Sequence, residues 1–155
     1  MPRLRGVAHV WHPWRHMRDA YPHIRISCRE HLPPDLRAAW TTDGIYLDRA
    51  LGQAARRCAL THEIVHLERG PVPRNPVLAA SEERIVSDIA ARRLIPLRSL
   101  LDAFMWTRPT NHHDLADELW VDVPTLLIRL RGLRRREIDE LNRAIDRRWP
   151  WHIEN

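Results

Sequence analysis

The chain has 155 residues, 44% hydrophobic and 29% charged, which is within the range of soluble globular proteins and long enough to bury a core without a disulfide or a metal. The net charge is +5 and all 25 basic residues are arginine, a bias that we attribute to a GC-rich genome, with the charge itself serving solvation. Two cysteines, no apolar run near the ~20 residues of a membrane span and no apolar signal core favour a reducing, cytoplasmic location without a membrane partner.

The first third of the chain predicts a short helix followed by a small antiparallel sheet. The aromatic and basic segment 9–21 is the helix candidate. Alternating apolar and polar residues over 23–28 predict a strand. Two short runs, 37–41 and 45–47, flank an Asp-Gly pair and predict a hairpin. We expect the edge at 45–47 to be able to bind an extended peptide by strand addition.

From residue 49 onward the pattern is helical. Helices are predicted over 49–67, with Gly52 as an alternative start, over 78–94, over 97–106, on both sides of a break at 121–123, and over 134–148. The fold class is therefore α+β, with helices dominant. We expect one domain over 1–155, made of an N-terminal helix and hairpin region (1–48), a pair of helices that carries the site (49–96) and a C-terminal helical segment (97–155).

The second of these regions contains the motif H-E-x-x-H, formed by His62, Glu63 and His66. Residues four apart share a helix face, so both imidazoles can offer a nitrogen to one metal ion. Glu63 lies about 100° round the helix and can reach a metal-bound water without binding the metal itself. Cys58, one turn before His62, shares the face, and we interpret it as a small buried apolar residue and not as a ligand.

A catalytic zinc takes three protein ligands and leaves one position open, so a third ligand is expected on the helix over 78–94. Glu82 and Glu83 stand near its start. Glu83 heads an apolar stripe that ends at Leu94, and Glu82 heads another that runs through Ile89. We favour Glu83 as the third ligand, and Glu82 remains the alternative.

Together, "THEIVHLERG" and "EERIVSDIAARRLIP" resemble the ImmA/IrrE family of metallopeptidases, most closely its short members from actinobacteria and their phages. The resemblance extends over 24–133. Its second motif, E-x-x-A-(N/D)-x-F-A-A-x-L-L-x-P, is represented here by Glu83, Val86, Ser87, Ile89, Ala90, Ala91, Leu94 and Pro96. The resemblance implies a zincin-like core, one zinc per chain bound by His62, His66 and Glu83, and Glu63 as general base. Manganese is a second candidate ion for such a ligand set.

The resemblance also implies the substrate class and the setting. Members act in the bacterial cytoplasm on a specific protein, typically a transcriptional repressor of a phage or mobile element. The chain departs from the family at Val86 and Ser87, where Ala followed by Asn or Asp is usual, and an acidic residue follows one position late as Asp88. Ser87 and Asp88 are both candidates to orient the first histidine of the motif.

The oxyanion of peptide hydrolysis needs a further donor. The sequence offers four candidates without selecting one of them: Tyr46, His23, His112 and His113.

The C-terminal segment has the spacing of a helix-turn-helix, followed by arginines over 129–136 that can contact phosphates. We favour packing of these helices on the peptidase core over DNA contact. Trp106 and Trp120 are predicted core aromatics, and the apolar end at 149–152 is predicted to dock on the body or on a partner. The alternative function is a non-catalytic module that binds DNA or protein and has a structural or vestigial metal site. Glu63 favours the enzyme, because a structural site does not need it.

Overall fold

The computed structural model describes residues 10–107 and 111–148, except for the side chains of residues 106 and 107. This part of the chain forms the following elements: α1 (Pro13–Ala20), β1 (Ile26–Ser27), β2 (Ala38–Thr41), β3 (Gly44–Leu47), α2 (Gln53–Arg69), α3 (Pro76–Leu94), α4 (Leu97–Thr107), α5 (His112–Leu119), α6 (Val123–Arg131) and α7 (Arg135–Arg148). The fold is mixed and helices dominate, as predicted. Within the described ranges, no helix combines the length and the apolar character needed to cross a bilayer.

The sheet has the strand order β1-β3-β2. Its antiparallel hairpin is confirmed, with Trp40 of β2 opposite Ile45 of β3. β1 pairs with β3 in parallel, so the prediction of a purely antiparallel sheet is wrong. The loop after β1 leads the chain to the opposite edge of the sheet, where β2 lies. The hairpin then returns β3 to the position between β1 and β2. β3 is therefore central, so the free edge predicted at 45–47 is wrong: the edge strands are β1 and β2.

Gly44 permits this close pairing. Its φ of +131° is unfavourable for residues with a Cβ, and a Cβ there would overlap the carbonyl oxygen of Arg25. The next amide, that of Ile45, donates a hydrogen bond of 2.9 Å to the same carbonyl oxygen. A glycine is needed here for the parallel contact as well as for the turn.

Helix α2 contributes to all three apolar clusters. Leu60 and Ile64 pack on the sheet and α1, Val65 packs on α3, and Cys58 joins the cluster of the C-terminal helices. The helix ends at Gly70, whose amide bonds the carbonyl of His66, as the glycine predicts. A helix buried on so many sides holds its remaining polar side chains in fixed positions.

The C-terminal helices form one cluster with the ends of α2 and α3. Its buried members in this region are Leu100, Ala103, Leu115, Ala116, Val121, Leu126 and Leu141. Packing of these helices on the body is therefore confirmed.

Arg129 and Trp120 correct two predictions. Arg129 is only 2% exposed, donates to the carbonyl of Ile95 and pairs with Glu137, so it is not free to contact phosphate. Trp120 is 47% exposed and is not a core aromatic. It is the C-cap residue of α5, with a φ of +55°, and its carbonyl oxygen accepts a hydrogen bond from Arg57. The predictions for the Trp106 side chain and for 149–152 lie outside the described residues.

Candidate metal centre

Helix α2 places the two histidines of the motif one turn apart, with ring centroids separated by 4.8 Å. Helix α3 brings a carboxylate against both of them. One oxygen of Glu83 lies 2.9 Å from Nε2 of His66, and the other lies 3.2 Å from Nε2 of His62. One ligand atom from each of the three residues falls within 4.8 Å of the others.

Glu82 has a different partner. Its carboxylate receives two hydrogen bonds from the guanidinium of Arg69, one of them 3.0 Å long. The structure thus brings Glu83, and not Glu82, to the histidines.

The approach of α3 to α2 has a local cause in the sequence. Asn75 caps α3 by accepting hydrogen bonds from the amides of Val77 and Leu78, so the helix begins directly after the connecting loop. Further along, Arg93 forms two hydrogen bonds of 3.1 and 2.7 Å with Glu68 of α2. These contacts and the small buried cluster between the two helices hold α3 against the motif helix.

The donor set fits a divalent transition metal, because two neutral imidazoles and one carboxylate are ligands that zinc accepts and they leave a position open. Neither candidate orienting residue bonds a histidine in the described ranges, since Asp88 is paired with Arg92 at 3.0 Å and Ser87 has no such contact. Nδ1 of His66 is buried, with no hydrogen-bond partner among the residues that the structure describes. The outer hydrogen bond that commonly orients a metal-binding histidine is therefore not supplied to His66 by these groups.

Burial shifts the ionisation of two groups in the motif. Burial lowers the pKa of His62, and the neighbouring His66 lowers it further, while Glu83 acts in the opposite direction. Burial also raises the pKa of Glu63, although His66 and the Trp40 side chain oppose this. A neutral His62 is the form that binds a metal, and a carboxylate with a raised pKa is a better proton acceptor.

A cavity of about 370 Å³ opens beside the three clustered residues. Glu63, His62 and Glu83 line it together with residues of α3, α6 and the segment that leads into β2. None of the four predicted oxyanion donors lines it: Tyr46 is half-buried on β3, and His23, His112 and His113 are exposed.

Arg37 is a cation of the site that was not predicted from the sequence. It lines the cavity and is tied by hydrogen bonds to Asp122 and to the carbonyl of Ala55. Its charge is close enough to contribute, as a minor cause, to the lowered pKa of His62. The sequence contains no signal for this role, because Arg37 stands at the edge of a loop and its partner is 85 positions away.

No protein-family model, curated protein or solved structure matches this chain.

Proposed function

We propose that the protein is a metal-dependent endopeptidase that binds one zinc ion through His62, His66 and Glu83 and uses Glu63 as general base. One observation carries the proposal. The carboxylate of Glu83 comes from a separate helix and lies against both imidazoles of an H-E-x-x-H motif, at the wall of an open cavity that Glu63 also lines.

The surroundings support a zincin-like arrangement. The motif helix packs beneath a small sheet, and the helix that follows it in sequence supplies the third candidate ligand. Strand β2 lies at an edge of the sheet, its Ala38 lines the cavity and its Trp40 interacts with Glu63. An extended peptide that adds to this edge would pass the motif, which is how many peptidases hold their substrates.

In hydrolysis, a bound zinc ion would supply a Lewis acid and lower the pKa of water. Glu63 accepts a proton as the oxygen of water forms a bond to the scissile carbonyl carbon. It then delivers that proton to the amide nitrogen as the carbon–nitrogen bond breaks, so that a carboxylate and an amine leave. Arg37 also lines the cavity, and a guanidinium N–H that Asp122 does not use can donate a hydrogen bond to a substrate carbonyl.

The resemblance to the ImmA/IrrE family suggests the target. We propose a specific protein substrate, a transcriptional repressor of a phage or mobile element, cleaved in the bacterial cytoplasm. The segment with the predicted helix-turn-helix spacing forms α5 and α6. Because α6 packs on α3 and lines the cavity, we favour a role in the peptidase over DNA binding.

The test is cleavage of a mixed peptide library by the zinc-loaded protein, read by mass spectrometry. Glu63→Gln should leave zinc content at one per chain and reduce cleavage by at least about 10²-fold, because general base catalysis contributes ~10²–10⁴-fold. Glu140→Gln, an exposed change on α7, is the matched control and should have no effect.

Equal cleavage by wild type and Glu63→Gln would reject the assigned role of Glu63. Zinc binding without cleavage in any protein would favour the alternative, a regulatory module with a structural metal.

A further inference from the structure

The cavity beside the metal centre has a charged rim and an apolar interior. Glu83 and Arg37 at the rim have side chains that are 49% and 46% exposed. The deepest lining residues are Cys58, Ala59, Ala90 and Leu94, which are at most 7% exposed. A ligand that reaches these four residues has passed the charged lining residues and contacts uncharged side chains.

Small side chains keep this space open. Ala59 of α2 and Ala90 of α3 face it from two sides, and a leucine at either position would occupy part of it. Its volume of about 370 Å³ falls in the range of ~300–1,000 Å³ that is typical of ligand pockets, well above that of a packing defect. The third wall is α6, through Pro124, Thr125 and Ile128.

We infer that this cavity is the subsite for one side chain of the peptide substrate, next to the cleaved bond, and that it selects a large apolar side chain of the leucine, methionine or phenylalanine type. This inference rests on the proposed endopeptidase function. The position of the cavity supports it, because Ala38 on the free edge of β2 lines the same space as His62 and Glu63. A peptide paired with that edge directs alternate side chains to the same face.

Charge disfavours acidic and basic side chains at this subsite, and size disfavours glycine. An acidic side chain would meet Glu63 and Glu83 on entry, and the one cation among the lining residues, Arg37, is already paired with Asp122. A basic side chain that reached Cys58, Ala59, Ala90 and Leu94 would have to leave the carboxylates of the other lining residues (Asp35, Glu63 and Glu83). Its charge would then be unpaired among apolar groups, which is costly. Glycine would leave the apolar floor unfilled.

Ile128 is the side chain by which α6 controls the size of the subsite. It is half-buried and lines the cavity, so a larger side chain at this position would fill part of the cavity. Ile138 on α7 is 41% exposed and does not line the cavity, which makes it the matched control.

The first arm of the test uses a mixed peptide library with the zinc-loaded wild type, Ile128→Trp, Ile128→Ala, Ile138→Trp and Ile138→Ala. At one position flanking the cut, wild type should prefer large apolar residues over glycine by about tenfold or more, as hydrophobic pockets do. Ile128→Trp should reduce that preference at least about fivefold, and Ile128→Ala should shift it toward aromatic residues. Both Ile138 variants should match wild type.

The second arm does not depend on turnover. The Glu63→Gln variant is titrated separately with three probes: N-acetyl-leucinamide, N-acetyl-glycinamide and the α-amide of N-acetyl-aspartic acid. Binding is followed by the NMR shifts of the backbone amides of Ala59, Ala90 and Ile128. The leucine derivative should bind at least about fivefold more tightly than the other two. Ala90→Leu should weaken its binding, and serves as a second filling variant if Ile128→Trp does not fold.

The outcomes separate the two proposals. If the library is cleaved without an apolar preference, the subsite is overturned and the endopeptidase function stands. The same holds if Ile128→Trp and Ala90→Leu both leave that preference intact. Selective binding of the leucine derivative with no cleavage by wild type supports an apolar side-chain site and overturns the endopeptidase. Neither cleavage nor selective binding overturns both.

Discussion

Glu82 and Glu83 are adjacent in sequence, yet their carboxylates have different partners. Glu83 lies against His62 and His66, and Glu82 is engaged by Arg69. Successive residues lie about 100° apart around a helix, so the two side chains have different surroundings. The sequence leaves open which of the two is the third ligand, because adjacent residues lie on neighbouring faces of the helix and either face could be turned toward α2.

This difference predicts the metal affinities of two matched variants. Glu83→Gln should weaken zinc binding by more than the ~10–100-fold that is typical of losing an outer hydrogen-bond partner, because it removes a candidate ligand. Glu82→Gln should leave the affinity within about twofold and change the stability only slightly, as expected for a surface ion pair with Arg69. Competition with a chromophoric chelator measures the affinities. Equal loss in both variants would contradict the assignment of Glu83 alone.

The residues of the site differ in how far the sequence predicts them. His62 and His66 follow from their spacing of four, because helical periodicity determines which residues share a face. The apolar stripes of α3 predict a carboxylate near its start but do not by themselves choose between Glu82 and Glu83. Arg37 and Ile128 do not follow, since they reach the cavity from a loop edge and from a distant helix. No local pattern records a contact between segments so far apart.

At the scale of elements, the helices are close to their predicted bounds, because glycine, proline and capping residues mark helix ends locally. Helix α3 begins at Pro76, two residues before its predicted start, because Asn75 caps it. The parallel pairing of β1 with β3 was not predicted. Strand order depends on the path of a loop, and a strand's own alternation is the same in either direction.

Helices α6 and α7 are joined by an ion pair that predicts a pH dependence. Hydrogen bonds from Arg129, together with the amide of Arg134 and with Arg92, lower the pKa of Glu137 from 4.5 to about 2. A lowered pKa in the folded state stabilises the protein above about pH 4.5, and this contribution is lost as the pH falls from 4.5 toward 2.

Glu137→Gln should lower the free energy of unfolding by roughly 3 kcal/mol at pH 7, because it leaves the buried charge of Arg129 without its partner. The difference from wild type should shrink as the pH falls from 4.5 to 2. Urea unfolding at a series of pH values measures it. The exposed Glu140→Gln on the same helix should show no such difference, and a Glu137→Gln effect that stays constant across this range would contradict the ion-pair explanation.

At the scale of the whole molecule, the candidate metal centre lies across the contact between α2 and α3. Helix α2 contributes to every apolar cluster, and α3 joins it to the C-terminal helices through Leu94. Two of the proposed ligands come from α2 and the third from α3. An ion held by all three would bind the folded chain far better than the unfolded one, so binding and stability are linked.

Zinc should therefore raise the stability of the protein. At a free concentration 100 times the dissociation constant, the gain is about 2.7 kcal/mol, which for a chain of this size corresponds to a rise in Tm of roughly 5–10 °C. Calorimetry with zinc and then with a chelator measures the shift. Glu63→Gln should retain it, because Glu63 is not one of the proposed ligands, and His66→Ala should lose it. Since the chain has ten histidines, an equal shift in His66→Ala would mean that zinc binds elsewhere on the molecule and would remove the metal centre from the proposed function.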